Sequence, residues 1–549
     1  MMMYRKILFC LLLFPPIYIS AFSKLSLQEV VEETINNQWD VLISEANVEE
    51  QRGIVVQTRA PFDPVLSFQT SDRLFNTYTI QYGMKVPFFA EVTLPIDGTL
   101  YANEPGGFRI HGYNALASAA LSKKSRLGTT FSIETSTSKT KNTFYDFYNP
   151  YPQLSDWSII FIRQGLANVS FTINQPFLKG FIYGRETVEE KNKEFIFQSY
   201  ENTLINNVAT QTLSSIEAYW NLVRAQLILE ERKKSENDNQ RYFDNILALI
   251  EGNQFPKTEI QQAIRALANS KSDVTIAKQD ITMATQTLIF RMGNKKKYSR
   301  LCQNNVMLDE LPKIDEASKK FCEYDLMLPI NYAWKHRTDL KALEYQEKAA
   351  VIKTKGAFNE ILPELNMEFQ TKGLNTVYEH NAKTLFEPYN MRSPQTEFAL
   401  KLSLNFPIFS SLGRGKLIST KAEKHRISYQ IEQLKAQIFS DVVSAINNHQ
   451  ALMLEMIDIE QATKTAQKYV DDQETLITEG LTSVFQLLDS HSKLVAMEIK
   501  RIETMTAYAK NLAKLRYLLG ALVQQKENKE NKFLISELNT LPNIIKDNL

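Results

Sequence analysis

The sequence lacks the features by which several classes of protein are recognised. It has 63 Lys and Arg residues against 62 Asp and Glu, so no basic excess attracts nucleic acid, and we expect no nucleic-acid partner. Its six histidines are scattered without metal-ligand spacing. No glycine-rich phosphate loop is present, and no pair of carboxylates stands in an apolar setting. We therefore expect neither an enzyme nor a bound cofactor or metal.

Long hydrophobic runs are also missing. After the N-terminal segment no stretch reaches the ~18 apolar residues of a membrane helix. The mean hydropathy of −0.28 likewise argues against a protein with several membrane helices. If the chain enters a membrane, the remaining route is a β-barrel.

The N-terminal segment 1–23 is typical of a secretory signal peptide. Arg5 and Lys6 precede an apolar run, and Ala21 and Ser23 form a small-x-small cleavage site, which predicts cleavage between Ser23 and Lys24. The alternative is an N-terminal membrane anchor, but the apolar run 7–19 is shorter than the ~20 residues that cross a bilayer.

Cysteine is scarce, with three residues in the chain. Cys10 lies in the predicted signal, which leaves Cys302 and Cys322 in the mature protein. A disulfide between them would contribute ~3 kcal/mol in an oxidising compartment. Two free thiols are the alternative, because spacing alone does not establish the geometry of a bridge.

What is present is a duplication. Segment 27–68 resembles segment 326–369, and Asp40 stands as far before Pro64 as Asp339 stands before Pro363. Each segment predicts one helix of about 30 residues that ends before its proline, since a residue that precedes proline is disfavoured in α geometry. An alternating segment follows in each half and predicts a strand.

The alternating segments predict two strand positions in each half, and therefore about four strands per chain. Four strands are too few to close a barrel, which takes about eight, whereas three chains would supply twelve. The second strand of each half ends at a proline, which terminates pairing. The segments are 65–68, 169–173, 365–369 and 400–406.

A long proline-free segment with a near-heptad apolar spacing follows the strands of each half, at 184–250 and 413–478. A helix of this length would extend ~100 Å. Each is followed by a glycine-containing turn, at 251–260 and 479–488, and by a further helix. Gly293 and Gly520 stand where C-terminal caps are expected.

The order and duplication of these segments resemble the TolC-like outer-membrane efflux family, the outer membrane factors, over about 25–520. The segments that carry the resemblance are "DVLISEANVEEQRGIVVQTRAPFDPVLSF", "INQPFLKG", "RTDLKALEYQEKAAVIKTKGAFNEILPEL", "LNFPIFSSLGRGK" and "LITEGLTSVFQLLDSHSKL".

The resemblance implies an α+β membrane protein. It implies a homotrimer with a shared 12-stranded barrel in outer-membrane lipid and a periplasmic tunnel of long coiled α-helices. Such channels dock on a periplasmic adaptor (membrane fusion) protein and on an inner-membrane pump of the RND, ABC or MFS type. Substrates pass through without chemistry, in efflux or in type I secretion.

The resemblance also assigns roles to the helix tips. Gln486 and Asp489 match the pore gate, although Gln486 is not acidic and Thr482 stands where arginine is common. Three copies of Asp489 would form a ring that filters cations, or Asp489 is a solvated helix residue. The positions that match adaptor contacts are Gly252, Asn253, Gln254, Phe255, Gly480, Leu481, Thr482, Ser483 and Val484.

The resulting organisation has five parts. Insertion 70–168 in the first repeat is interpreted either as an extra hairpin or as an extracellular loop, and its aromatic segment 144–161 as a membrane-interface belt, a surface loop or packing within a cap. The tail either wraps the helical tube or is disordered. A periplasmic coiled-coil rod or adaptor without a barrel is the alternative to a channel. The parts are the signal 1–23, the first repeat 24–293 with hairpin 184–293, the linker 294–325, the second repeat 326–520 with hairpin 413–520, and the polar tail 521–549.

Overall fold

The computed structural model describes most of the chain, in two compact units. The predicted signal peptide, Asn253, Gln254, Phe255, Cys302 and Cys322 lie outside the described residues. The units are Met1–Glu50, Gln198–Glu344 and Tyr429–Leu549 for the first, and Gln51–Phe197 and Tyr345–Ser428 for the second. The described residues are 25–81, 106–146, 159–252, 256–293, 308–312, 326–378, 385–390, 395–525 and 533–535.

The chain forms eight α-helices and eight β-strands within those residues. The helices are α1 Leu27–Asn37, α2 Trp39–Arg59, α3 Arg185–Glu251, α4 Ile260–Met292, α5 Met327–His336, α6 Thr338–Asn359, α7 Ser411–Thr478 and α8 Val484–Leu518. The strands are β1 Val65–Gln81, β2 Gly106–Lys124, β3 Thr130–Asp146, β4 Ile159–Pro176, β5 Glu364–Tyr378, β6 Gln395–Asn405, β7 Val523–Gln525 and β8 Phe533–Ile535.

The second unit holds one six-stranded antiparallel sheet in the order β1-β2-β3-β4-β5-β6. The prediction of about four strands was therefore wrong. The insertion 70–168 contributes the extra hairpin, β2 and β3, because its alternating run 127–138 continues into a full strand. The turn 125–129 closes this hairpin, and Gly128 in it has a φ of +91°, which glycine adopts without strain.

The two faces of this sheet differ in polarity. One row of cross-strand neighbours runs Leu66, Leu121, Ile133, Phe171, Thr371 and Phe398. The next row runs Ser67, Ala120, Glu134, Ser170, Lys372 and Glu397. Since opposite residues share a face and successive residues alternate, the first face is apolar and the second polar along these rows, whereas farther along the strands the first face also carries Asp72 and Lys139. Segment 385–390 covers part of the apolar face, where Thr137 Oγ1 donates to the Leu385 carbonyl over 2.5 Å.

The first unit contains a buried core built from α1, α3, α4 and α8. Tyr219 and Trp220 on α3 are among its largest buried side chains. The Tyr219 hydroxyl donates to the Leu25 carbonyl over 3.1 Å and accepts from the Asp309 amide over 2.8 Å. The described part of the linker is thereby held against the core. Leu522 and Val523, at the start of the tail, are also buried there, and β7 pairs with β8.

The two helices predicted before Pro64 and Pro363 are each interrupted, which corrects the expectation of single helices. The breaks lie at Gln38 and Arg337, whose backbones are extended. Gly293 and Gly520 end α4 and the turn after α8 with φ of +67° and +69°. A Cβ on Gly293 would lie 2.3 Å from the Asn37 carbonyl oxygen, and one on Gly520 would lie 3.0 Å from the His336 carbonyl carbon. Each glycine thus allows a close approach to one helix break.

No helix among the described residues has a stretch long and apolar enough to cross a lipid bilayer.

Candidate functional site at the helix tips

The turn between α7 and α8 is shaped by glycine and serine. Gly480 has a φ of +71°, its amide donates to the Ile477 carbonyl over 3.1 Å, and the Leu481 amide donates to the Leu476 carbonyl over 2.9 Å. These bonds satisfy carbonyls that the end of a helix leaves free. Ser483 then caps α8, because its Oγ accepts from the Gln486 amide over 3.2 Å.

A small apolar core joins the ends of the two long hairpins, α3–α4 and α7–α8. We call it the tip core. Val484 and Leu487 are almost fully buried in it, so the side chain of Val484, which sequence matching placed among the adaptor contacts, packs inside the tip. The members of the tip core are Tyr242, Ile246, Ile250, Ala263, Ile477, Val484 and Leu487.

Polar contacts beside the tip core also join the two hairpins. The Tyr242 hydroxyl on α3 donates to Glu474 Oε1 on α7 over 2.5 Å. Arg241 on α3 donates to the same carboxylate oxygen over 3.0 Å. We call Arg241, Tyr242 and Glu474 the tip latch. Burial, together with the hydrogen bond to the Glu474 carboxylate, raises the pKa of Tyr242, so the tyrosine keeps its proton.

His491 on α8 packs next to the tip latch. Its ring meets the Tyr242 ring edge-on, with centroids 5.2 Å apart, and its Nε2 lies 3.6 Å from Asp238 Oδ2. Burial lowers the pKa of His491, while Asp238 acts in the opposite direction. The histidine is therefore mainly neutral at pH 7 and contributes packing rather than a full ion pair.

The surface of the tip presents apolar side chains. Leu481 is 69% exposed and Phe485 is 57% exposed. Gly252, at the end of α3, donates its amide to the Ala248 carbonyl over 3.0 Å. The Thr482 hydroxyl lies 2.7 Å from Gln473 Oε1 and 2.6 Å from Gln486 Oε1. Thr482, at a predicted adaptor contact, and Gln486, at the predicted pore gate, therefore contact each other.

Asp489 lies on α8, one turn beyond Gln486, and is partly exposed. Its Oδ2 accepts a hydrogen bond from Lys493 Nζ over 2.7 Å. In a ring of three subunits each Asp489 would therefore carry a nearby cation from its own chain. Among the described residues, no group of three or more His, Cys, Asp or Glu side chains is placed to hold a metal ion.

The tip latch was not predicted from the sequence. Arg241 and Tyr242 lie within the heptad-like pattern of α3, and Glu474 lies far away in the chain on α7. Nothing local distinguishes Glu474 from the other acidic residues of a long polar helix. Only the duplication could have indicated the contact between Tyr242 and Glu474. Each of these residues stands shortly before the predicted glycine turn of its own half, at 251–260 and at 479–488.

The sequence matches no family model and no curated protein, whereas solved structures match it over most of its length. CusC, studied for folding and transmembrane channel formation, is 14% identical, with a TM-score of 0.60 over 91% of this chain and 93% of that one. The outer-membrane channel OprN is 12% identical, with a TM-score of 0.61 over 90% of each chain. The outer membrane protein VceC of Vibrio cholerae is 13% identical, with a TM-score of 0.60 over 90% and 96%.

These likenesses concern the fold, because the sequence identities are low. The fold is that of solved outer-membrane channel proteins, and at the level of the fold it confirms the resemblance to TolC-like proteins that the sequence motifs carry.

Proposed function

We propose that this chain, which has the fold of the TolC-like outer-membrane channels, is one subunit of a homotrimeric exit duct in the outer membrane. The duct is passive, and it serves a tripartite efflux or type I secretion system. The observation that carries this proposal is the combination in one chain of a sheet with an apolar face and two long helical hairpins with joined tips. A sheet of this kind suits lipid on one side and water on the other.

The proposed closed state depends on the tip core and the tip latch. The latch joins the α3–α4 hairpin to the α7–α8 hairpin through Glu474. Hydrogen bonds to charged groups contribute about 1.5–3 kcal/mol each, so breaking the latch would favour separation of the hairpins. A periplasmic adaptor that engages the tips would open the duct in this way, and an inner-membrane pump would supply the cargo.

The exposed apolar residues at the tip support the adaptor contact. Leu481 in the turn and Phe485 at the start of α8 are large and exposed, at positions where water-soluble proteins usually carry polar residues. Together with Gly252, Gly480, Thr482 and Ser483, they form the proposed adaptor surface. Asn253, Gln254 and Phe255 remain predicted adaptor contacts outside the described residues. Val484 supports this surface from the tip core.

A periplasmic coiled-coil rod or adaptor is the alternative function. Such a protein would have no use for six long strands with a lipid-compatible face, because a water-soluble sheet buries its apolar face against other parts of the protein. In this chain the apolar face near Phe398 and Leu400 is exposed.

The first test is the native mass of the full-length protein, extracted from the outer-membrane fraction in mild detergent and measured by light scattering with the detergent subtracted. A particle of three chains supports the duct, each chain being somewhat smaller than 63.1 kDa after removal of the signal. A soluble monomer or dimer in the periplasmic fraction would exclude it and leave the rod or adaptor.

A further inference from the structure

The sheet of the second unit has two open edges. β1 pairs only with β2, and β6 pairs only with β5, among the described residues. All five neighbouring pairs are antiparallel, so β1 and β6 run in opposite directions. The outer edge of β6 in one copy can therefore pair antiparallel with the outer edge of β1 in the next copy, which continues the alternation without a break.

Both edges carry exposed apolar side chains on the same face of the sheet. Phe68 on β1 is 76% exposed, and Leu400 and Leu402 on β6 are 70% and 69% exposed. An open apolar edge favours association with other strands, and closure of a barrel removes it. The occupant that fits each edge in direction and polarity is a second copy of this chain, although β1 has 17 residues and β6 has 11.

The β2–β3 hairpin is an integral part of this sheet. β2 pairs with β1 from Val65 to Gln81, and β3 pairs with β4 from Thr130 to Tyr145. Its residues also follow the two-face pattern, since Ile133 lies on the apolar face between Leu121 and Phe171. Among the described residues, removing the hairpin from the sheet would leave β1 without a partner strand and would expose one edge of β4, whose other edge pairs with β5.

We infer that three copies close one barrel of eighteen strands, with β6 of each subunit paired to β1 of the next. The inference rests on the proposed trimer and replaces the twelve strands that the resemblance to TolC-like proteins implied. At equal strand tilt, eighteen strands give about 1.5 times the radius of twelve, or a backbone radius of about 18 Å for a tilt of about 40° and a strand spacing of about 4.8 Å.

A barrel of this width has consequences for cargo. Barrels of 16–18 strands enclose an aqueous channel, and the face opposite the lipid carries Glu134, Ser170, Lys372 and Glu397. The barrel would therefore hold water and impose little size selection on cargo. Selection by size would fall on the helix tips.

Accessibility of neighbouring residues on β3 tests whether the hairpin lies in the membrane. Ile133 and Glu134 are adjacent, both are exposed in the isolated chain, and they point to opposite faces. Ile133→Cys and Glu134→Cys would be made separately in a Cys302→Ser/Cys322→Ser background, reconstituted in liposomes and treated with a water-soluble maleimide. We expect Glu134→Cys to react and Ile133→Cys to react only after unfolding in detergent.

The matched control is the pair Lys401→Cys and Leu402→Cys on β6, which lies in the barrel whether each chain contributes four or six strands. Equal labelling of Ile133→Cys and Glu134→Cys, with the normal difference between Lys401→Cys and Leu402→Cys, would overturn the inference.

Disulfide cross-linking tests the order of the strands. Ser67→Cys or Gln69→Cys on β1 would be combined with Lys401→Cys or Ser403→Cys on β6 in the same background. At least one combination is expected to give covalent trimers in denaturing gels. A chain that contributed only four strands would instead pair β1 with β4, so a cross-link between Ser67→Cys and Ser170→Cys would overturn the inference.

Electron cryomicroscopy of the purified particle in nanodiscs counts the strands directly. A trimer with eighteen strands is the expected result. A trimer with twelve strands overturns the wide barrel and leaves the proposed function intact. A particle that is not a trimer overturns the proposed function itself.

Discussion

Tyr242 on α3 donates its hydroxyl hydrogen to Glu474 on α7, which joins two hairpins that are far apart in the chain. The contact lies beside a small apolar core that the same hairpins share. The ends of the long helices are thus held together by one polar and one apolar interaction, and each can be altered separately.

Loss of the tip latch is expected to open the proposed duct. Tyr242→Phe combined with Glu474→Gln removes the hydroxyl donor and the charge that also binds Arg241. Losing the part-buried hydrogen bond of Tyr242 alone, at about 1.5–3 kcal/mol, should raise the ratio of open to closed channels about tenfold or more. Single-channel recording in planar bilayers measures this ratio. Glu460→Gln on the same helix is the control, because Glu460 is exposed and its carboxylate accepts a hydrogen bond from Lys464 in its own helix. An unchanged open probability in the double variant would exclude the latch as a gate.

Asp489 is expected to set cation preference at the tunnel entrance, as its ring of three would concentrate cations. Asp489→Asn should lower the ratio of K⁺ to Cl⁻ permeability, and Lys493→Ala should raise it because Lys493 binds Asp489. Reversal potentials in a salt gradient measure both. The permeability ratio should change in opposite directions in the two variants. A change in the same direction in both would place Asp489 away from the pore.

Substitutions at Leu487 and at Leu481 are expected to affect different properties, the stability of the tip and the binding of a partner. Leu487 is 2% exposed in the tip core, whereas Leu481 is 69% exposed. Leu487→Ala should cost about 2–5 kcal/mol of local stability, visible as faster proteolysis at the tips, while Leu481→Ala should leave proteolysis unchanged.

A photo-reactive amino acid at Leu481 should cross-link an adaptor in the cell of origin, and the same probe at the exposed Tyr469 on α7 should not. Equal products at both positions would argue against a specific tip surface.

His449 is expected to make stability depend on pH. It is fully buried, stacks on Tyr508, and burial lowers its pKa from 6.5 to about 4. Because the unfolded chain takes up this proton more readily, the contribution of His449 is complete above pH ~6.5 and is lost as the pH falls towards 4, by up to ~1.4 kcal/mol per pH unit. Melting temperatures at pH 7.5 and 5.0 should differ less in His449→Leu than in the original protein. An equal difference in both would assign the pH effect to other groups.

Gly128 is expected to be essential for the β2–β3 hairpin. A Cβ at this position would lie 2.4 Å from the Gly180 carbonyl oxygen, and the φ of +91° disfavours any other residue. Gly128→Ala should therefore reduce the yield of membrane-inserted trimer several-fold. Gly415→Ala in α7 is the control, since nothing lies within 4 Å of its added Cβ. Normal insertion of Gly128→Ala would show that the turn can rearrange.

Local signals account for the elements that were predicted correctly. The proline-free heptad-like segments predicted α3 and α7, and Gly293 and Gly520 have the left-handed conformation that their positions suggested. The alternating residues before Pro176 and Phe406 lie in β4 and β6. In each case the period of the pattern, 3.6 or 2, determines which residues share a face.

The number of strands depended on the whole chain instead. The four short alternating segments of the sequence favoured two strands in each half. The insertion 70–168 has no counterpart in the second half, and an alternating run such as 127–138 forms a strand only where a neighbouring strand pairs with it. The run becomes strand β3 because β3 pairs with β2 on one side and with β4 on the other.

The sequence by itself determined the helix and strand periods, the glycine turns and the resemblance to outer-membrane channels, because these follow from neighbours in the chain. Only the tertiary structure decided that the sheet has six strands, that Gln38 and Arg337 interrupt their helices, and that Tyr242 meets Glu474. These features depend on contacts between residues tens to hundreds of positions apart, and no local pattern of side chains records which distant partner each one meets.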